Sequence, residues 1–171
     1  MRTVNFLLIA LLIATLWSAS SSVTAQTMRS GPELLAASER SFSAIPFGAS
    51  EPAPGLTIID RNNCEVWGEC RYQDAKRVEH YFWEGELVVK SVHVDEVGNR
   101  SIDALGIGTV RSLDEVVERT RIFLPEAEID CEDFADGTAS CGATLGEGWI
   151  SIIFDNSRRL TEVRIDAYHF I

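Results

Sequence analysis

Two short cysteine-bounded stretches, CEVWGEC (residues 64–70) and CEDFADGTASC (residues 131–141), constrain this chain more than any other feature. Between them they hold all 4 cysteines. An even cysteine count in an exported chain reads as disulfides, with three connectivities open in principle. A four-cysteine zinc site is the alternative. Zinc sites of that kind space paired ligands about two to four residues apart, and both of these spacings are longer.

Hairpin register favours local pairing. Cross-strand partners have position numbers of constant sum. A three-residue loop Ala135-Asp136-Gly137 therefore sets Phe134 opposite Thr138 and Cys131 opposite Cys141, with glycine at the positive-φ position such loops require. A two-residue Asp136-Gly137 loop would set Cys131 opposite Gly142 and turn the two sulfurs to opposite faces. The same construction on CEVWGEC, with loop Val66-Trp67-Gly68, pairs Glu65 with Glu69 and Cys64 with Cys70. Its weak point is the directly opposed like charges of Glu65 and Glu69. Each bridge closes a short ring and is expected to contribute about 2–3 kcal/mol.

Export is read from the start of the chain. Arg2, an apolar run from Phe6 to Trp17 and the small residues up to Ala25 have the order of a secretory signal peptide, residues 1–25. As a helix the apolar run spans about 18 Å, short of a ~30 Å hydrocarbon core. The first cysteine is Cys64, which argues against a lipid-anchored N-terminus. A periplasmic or secreted protein without a membrane anchor in its mature form is expected. The chain carries 15 basic and 26 acidic residues, a net charge of −11. Such a chain repels nucleic acid and anionic membranes and favours a basic protein partner.

Along the chain, Ser30, Pro32 and Glu33 mark the start of a short helix to Phe42. AIPFGASEPAPGL then reads as linker. The spacing predicts residues 26–60 as an N-terminal helix and a partly flexible linker, and residues 61–171 as an antiparallel α+β domain. RVEHYFWEGELVVKSVHV predicts a hairpin turning at Glu84-Gly85, with Phe82 opposite Leu87, Tyr81 opposite Val88 and Glu79 opposite Lys90. RSLDEVVERTRIFLP predicts a helix capped by Ser112 and Glu115, with Leu113, Val116, Val117, Thr120 and Leu124 inward and Pro125 as its stop. WISIIFDNSRRLTEVRIDAYHF predicts a second hairpin. A four-residue turn at Asp155–Arg158 would set Ile150 opposite Val163.

These pieces occur twice in similar order, giving candidate half-repeats at residues 47–96 and 105–169. The fold class expected is α+β: antiparallel hairpins packed on one or two short helices, in one domain or two tandem small modules, with two local disulfides. GIGTVRSLDEVVER resembles the glycine-then-capped-helix opening of small exported α+β modules, the outer-membrane assembly factor BamE and the tandem-module β-lactamase inhibitor protein. That resemblance, over residues 105–169, implies a protein-binding role without enzymatic activity and assigns no individual residue.

Motifs for chemistry are sparse. There is no P-loop, H-E-x-x-H, G-x-S-x-G or dinucleotide fingerprint. In the expected hairpin His80 and His93 share a face about 13 Å apart, too far to hold one metal together. Phe134 interrupts the alternating acids that a calcium loop needs. No catalytic residue, cofactor or metal is therefore expected. Partner contacts are expected from Trp67 at a disulfide-closed loop tip and from the acids Glu65, Glu69, Asp133 and Asp136. The function expected is an acidic binding module of the bacterial envelope, such as an inhibitor or immunity protein against a basic enzyme. The alternatives are a small carboxylate-dependent hydrolase and a non-enzymatic accessory of envelope assembly.

Overall fold

Ser30 and Glu33 start the first helix. The backbone N–H and the hydroxyl of Ser30 donate to the Glu33 carboxylate at 2.7 and 2.9 Å, which holds that carboxyl below its ordinary range. This is helix α1 (Gly31–Phe42). The computed structural model describes residues 29–50 and 54–168, so the expected signal peptide and His169 lie outside the described residues. After α1 come β1 (Thr57–Asp60), α2 (Arg61–Trp67), β2 (Glu69–Gln73), β3 (Val78–Trp83), β4 (Glu86–His93) and the single-turn α3 (Val94–Val97). A 3-10 turn at Ala104–Gly106 leads to α4 (Leu113–Phe123), then β5 (Asp130–Asp133), β6 (Ala139–Leu145), β7 (Gly148–Phe154) and β8 (Leu160–Asp166). In α4 the Ser112 hydroxyl donates to Glu115, and Val116, Val117 and Thr120 are buried, as their spacing predicts.

The strands form one antiparallel sheet of 8 strands in the order β1-β2-β3-β4-β8-β7-β6-β5. It consists of two four-stranded meanders, β1–β4 and β5–β8, joined where β4 pairs with β8. With its helices and two disulfides the chain is α+β, with sheet predominant. One sheet face carries the core. Cys141, Ile152, Val163, Val92 and Val78 lie side by side across five strands. They share a buried cluster with Leu34 and Phe42 of α1 and with Val116 and Val117 of α4. Each such side chain contributes about 1.5–3 kcal/mol on burial, so this layer dominates stability. A smaller cluster, Cys70, Tyr72, Phe82 and Leu87, extends it toward β1, with Tyr72 and Phe82 edge to face at 5.5 Å. The start of α1 sits on the β6–β7 turn so closely that a Cβ on Gly31 would lie 2.6 Å from the Gly146 nitrogen.

Both expected disulfides are present, Cys64–Cys70 and Cys131–Cys141. The second sits in the hairpin that its register predicts. Cys131 opposes Cys141, the Phe134 N–H donates to the Thr138 carbonyl at 2.9 Å, and Gly137 has φ 87°. The first does not sit in a hairpin. Residues 61–67 are helical: Asp60 caps them by accepting the Asn63 N–H at 3.1 Å, and Gly68 ends them at φ 70°. The helix avoids setting Glu65 against Glu69, and Glu69 instead opposes Trp83 across β2–β3.

Two hairpin registers also differ from expectation. The Glu84-Gly85 turn forms, with φ 51° and 83° as a two-residue turn of the primed type requires, and Phe82 opposes Leu87. A bulge at Val88 then shifts the rest, so that Tyr81 opposes Val89 and Glu79 opposes Ser91. Glu79 therefore does not face Lys90, and His80 and His93 lie on opposite faces. In the β7–β8 hairpin Ile150 opposes Ile165 rather than Val163. The loop is one residue longer, closed by the Asp155 N–H on the Arg159 carbonyl at 2.9 Å, and a bulge follows at Thr161.

The shift buries Lys90 on the core side, beside His80. Its Nζ lies 3.2 Å from Glu39 Oε1, donates to the carbonyls of Ser43 and Ile45, and sits 5.2 Å from the Phe47 ring centroid. Glu39 also accepts the Phe47 N–H. This pair ties α1, the segment after it and the sheet together. Next to it, His80 Nε2 is 3.4 Å from Asp74. Burial works against the Asp74 charge, but His80 and the backbone N–H groups of Val78 and Lys76 hold its carboxyl below the ordinary range. Among the described residues no helix is long and apolar enough to cross a membrane.

Candidate binding face

Strand alternation sends every second residue away from the core, and on the central strands these residues converge. Trp149, Asp166, Val89, Tyr81 and Arg71 form one row across β7, β8, β4, β3 and β2. Ser151, Arg164, Ser91, Glu79 and Gln73 form the next. Gly142, which continues the second row onto β6, leaves room for the Trp149 ring, which occupies the space a Cβ there would need.

Charges on this face are paired with close geometry. Arg71 donates to Glu79 Oε2 at 2.7 Å, and the Tyr81 hydroxyl donates to the same oxygen at 2.9 Å. Arg164 makes three contacts with the Asp166 carboxylate, at 2.6, 3.0 and 3.1 Å. Its guanidinium and that of Arg71 lie 5.9 and 4.9 Å from the Tyr81 ring centroid. Burial and the Glu79 carboxylate push the Tyr81 phenol up to about 12. Burial opposes the Arg71 charge, but Glu79 outweighs it, and Asp166 likewise stabilises the Arg164 charge. A raised folded-state pKa stabilises fully below the unfolded value of about 10, and that contribution is lost as pH rises through the folded value. The phenolate absorbance of Tyr81, isolated as wild type minus Tyr81→Phe, is thus expected to appear at about pH 12. A step near pH 10 would contradict the packing described.

Ser91, His93 and Glu162 are residue types that elsewhere make a nucleophile, a base and an acid. Ser91 Oγ is 3.4 Å from His93 Nε2, and His93 Nδ1 is 3.9 Å from Glu162. Ser91 is fully buried, however, and its hydroxyl donates to Glu162 at 2.7 Å instead of being held for attack. The cluster acts as a strut between β4 and β8, completed by Glu79 at 3.7 Å from His93. Among the described residues no three His, Cys, Asp or Glu side chains are grouped to hold a metal ion.

Toward the β3–β4 turn the face deepens into a groove of about 950 Å³. Tyr81, Val88, Val89 and Arg164 line it, and Trp83 and Tyr168 stand over it at 51% and 50% exposure. Glu69, Glu84 and Glu86 border it. Beyond this edge, Val66 and Trp67 project from the end of α2, Trp67 at 70% exposure.

The predicted contact residues fall into two separate groups. Glu65, Trp67 and Glu69 lie on α2 and the start of β2, beside the groove. Asp133 and Asp136 lie at the β5 edge, six inter-strand steps from β2 and so roughly 29 Å away. They serve the fold locally. Asp133 accepts from Arg158 at 2.6 Å, and Asp136 accepts from the hydroxyl and N–H of Thr138 at 2.6 and 3.0 Å. Both carboxyls are held below their ordinary range by these bonds. Sequence reasoning passed over Arg71, Tyr81, Trp83, Arg164 and Tyr168. Their signal was the charged and aromatic residues at alternate positions of VEHYFW and TEVRID, whose meeting depends on the Val88 bulge. No protein family, curated protein or solved structure matches this chain.

Proposed function

We propose that this chain is an exported protein-binding module of the bacterial envelope, an inhibitor or immunity protein that holds a basic enzyme against the open face of its sheet. One observation carries the reading: a groove with half-exposed Trp83 and Tyr168 and a carboxylate border opens from a face whose other charges are already paired. Tryptophan and tyrosine over a rigid floor are the usual energetic anchors of protein interfaces, and a prepaired floor loses little entropy on binding. The acidic balance supports a basic partner. The signal-like start and the disulfides support an oxidising compartment outside the cytoplasm. The two meanders are read as tandem modules whose helices back one continuous binding sheet, one of the arrangements that a duplicated α+β unit allows.

Capture from envelope extract by the immobilised mature chain tests this. One basic protein is expected to be retained, to elute as salt is raised, and to be lost from a Trp83→Ala/Tyr168→Ala chain. Retention unchanged in that variant would refute the open face as the binding surface.

A further inference from the structure

We infer that the groove at the β3–β4 turn receives a lysine or arginine side chain of the partner protein, held over the Trp83 indole between Glu69 and Glu86. The inference rests on the open face being a protein-binding surface and names the group that the groove takes. Trp83 is opposed in register by Glu69 on one side and Glu86 on the other, so both carboxylates stand on the same face as its ring. Glu84 adds a third at the turn. Among the described residues none of these three carboxylates has a cationic side chain within 4.0 Å.

Charge complementarity selects the occupant. The two guanidinium groups in the groove could invite an anion, but Arg71 is bonded to Glu79 and Arg164 to Asp166, so the floor is neutral. What remains uncompensated is the acidic border. Like charges flanking one position repel, and a cation between them relieves that repulsion. The indole face attracts the same cation through its quadrupole, tryptophan being the strongest ring for this. The volume of about 950 Å³ is wide enough for a guanidinium or ammonium on its aliphatic stem with neighbouring backbone.

The test uses the mature chain and capped Ala-Arg-Ala, Ala-citrulline-Ala and Ala-Glu-Ala peptides, read by the indole N–H resonance of Trp83. The arginine peptide is expected to shift that resonance saturably and to bind about fivefold more tightly than its uncharged citrulline counterpart. Glu69→Gln/Glu86→Gln should remove most of the arginine peptide's advantage over citrulline and leave the citrulline peptide unchanged. Equal binding of arginine and citrulline, preference for glutamate, or no saturation by arginine would each overturn the inference. A captured partner that Trp83→Ala still releases would leave the protein-binding reading standing beside a failed cation site. Discrimination by the peptides with no partner captured would leave the cation site standing alone.

Discussion

Replacing Glu39 by alanine is expected to lower the unfolding free energy by about 3–5 kcal/mol, read from urea denaturation. The reason is the isolation of Lys90. Its side chain has 0% exposure, and Glu39 is its sole carboxylate partner within 4.0 Å among the described residues. The backbone carbonyl oxygens of Glu39, Ser43 and Ile45 also accept from it, but they bring only dipoles against the cost of burying a full charge. The same substitution also frees the Phe47 N–H and loosens the segment that the pair ties to the sheet. Glu39→Met combined with Lys90→Met should recover most of the loss, because a buried ion pair replaced as a unit by apolar groups is often neutral.

The pH dependence follows from burial, which lowers the Lys90 pKa. A lowered folded-state value means that the unfolded chain holds the proton to higher pH, so this lysine costs least above the unfolded value of about 10.4. Its penalty returns as pH falls through the folded value. The deficit of the Glu39→Ala chain should therefore narrow as pH rises toward 10.4. A deficit below about 1 kcal/mol at neutral pH would mean that the carbonyls alone suffice.

Glu79→Ala should cost about 2–4 kcal/mol and disable the open face together with it. One nearly buried carboxylate holds Arg71 at 2.7 Å, the Tyr81 hydroxyl at 2.9 Å and His93 at 3.7 Å. Without it Arg71, already short of a partner at its buried Nε, loses its anchor, and the stack of guanidinium groups on Tyr81 loosens. The Tyr81 phenol should then titrate below the value of about 12 that it has in the intact protein, with burial, the larger cause, still holding it above its ordinary range. A purely structural loss would lower stability and leave that titration in place, so the two readouts separate a general weakening from collapse of this network.

What the residues declare in advance, and what they do not, divides along a physical line. Ser30 with Glu33 and Ser112 with Glu115 are local signals, and both helices start where these pairs stand. Gly137 and the Cys131–Cys141 pair determine a register within eleven residues, and it is the one observed. CEVWGEC carries the same cysteine spacing logic, but Asp60 before it and Gly68 within it offer a capped helix that the hairpin reading did not weigh. The site was hidden by a larger effect. A single bulge residue, Val88, decides whether Glu79 faces Lys90 or Ser91, and nothing local marks it. The rows that build the open face also need β4 to pair with β8 across some seventy residues of chain, a contact that no short-range pattern encodes. Trp67 and Glu69 were singled out for their neighbourhood to a disulfide; Glu69 borders the groove from the start of β2, and Trp67 ends a helix beyond it rather than a loop tip.

The most direct measurement is the dissociation constant of the captured partner, by calorimetry, for two chains altered on opposite sides of the molecule. The first carries Trp83→Ala and Tyr168→Ala on the open face. The second carries Ile122→Ala and Phe134→Ala, exposed apolar residues on α4 and the β5–β6 turn, away from the groove. The open-face chain is expected to bind at least about thirtyfold more weakly, the loss of anchors worth about 2 kcal/mol, with the second chain unchanged. Full affinity in the first chain and loss in the second would place the binding surface elsewhere and contradict the account.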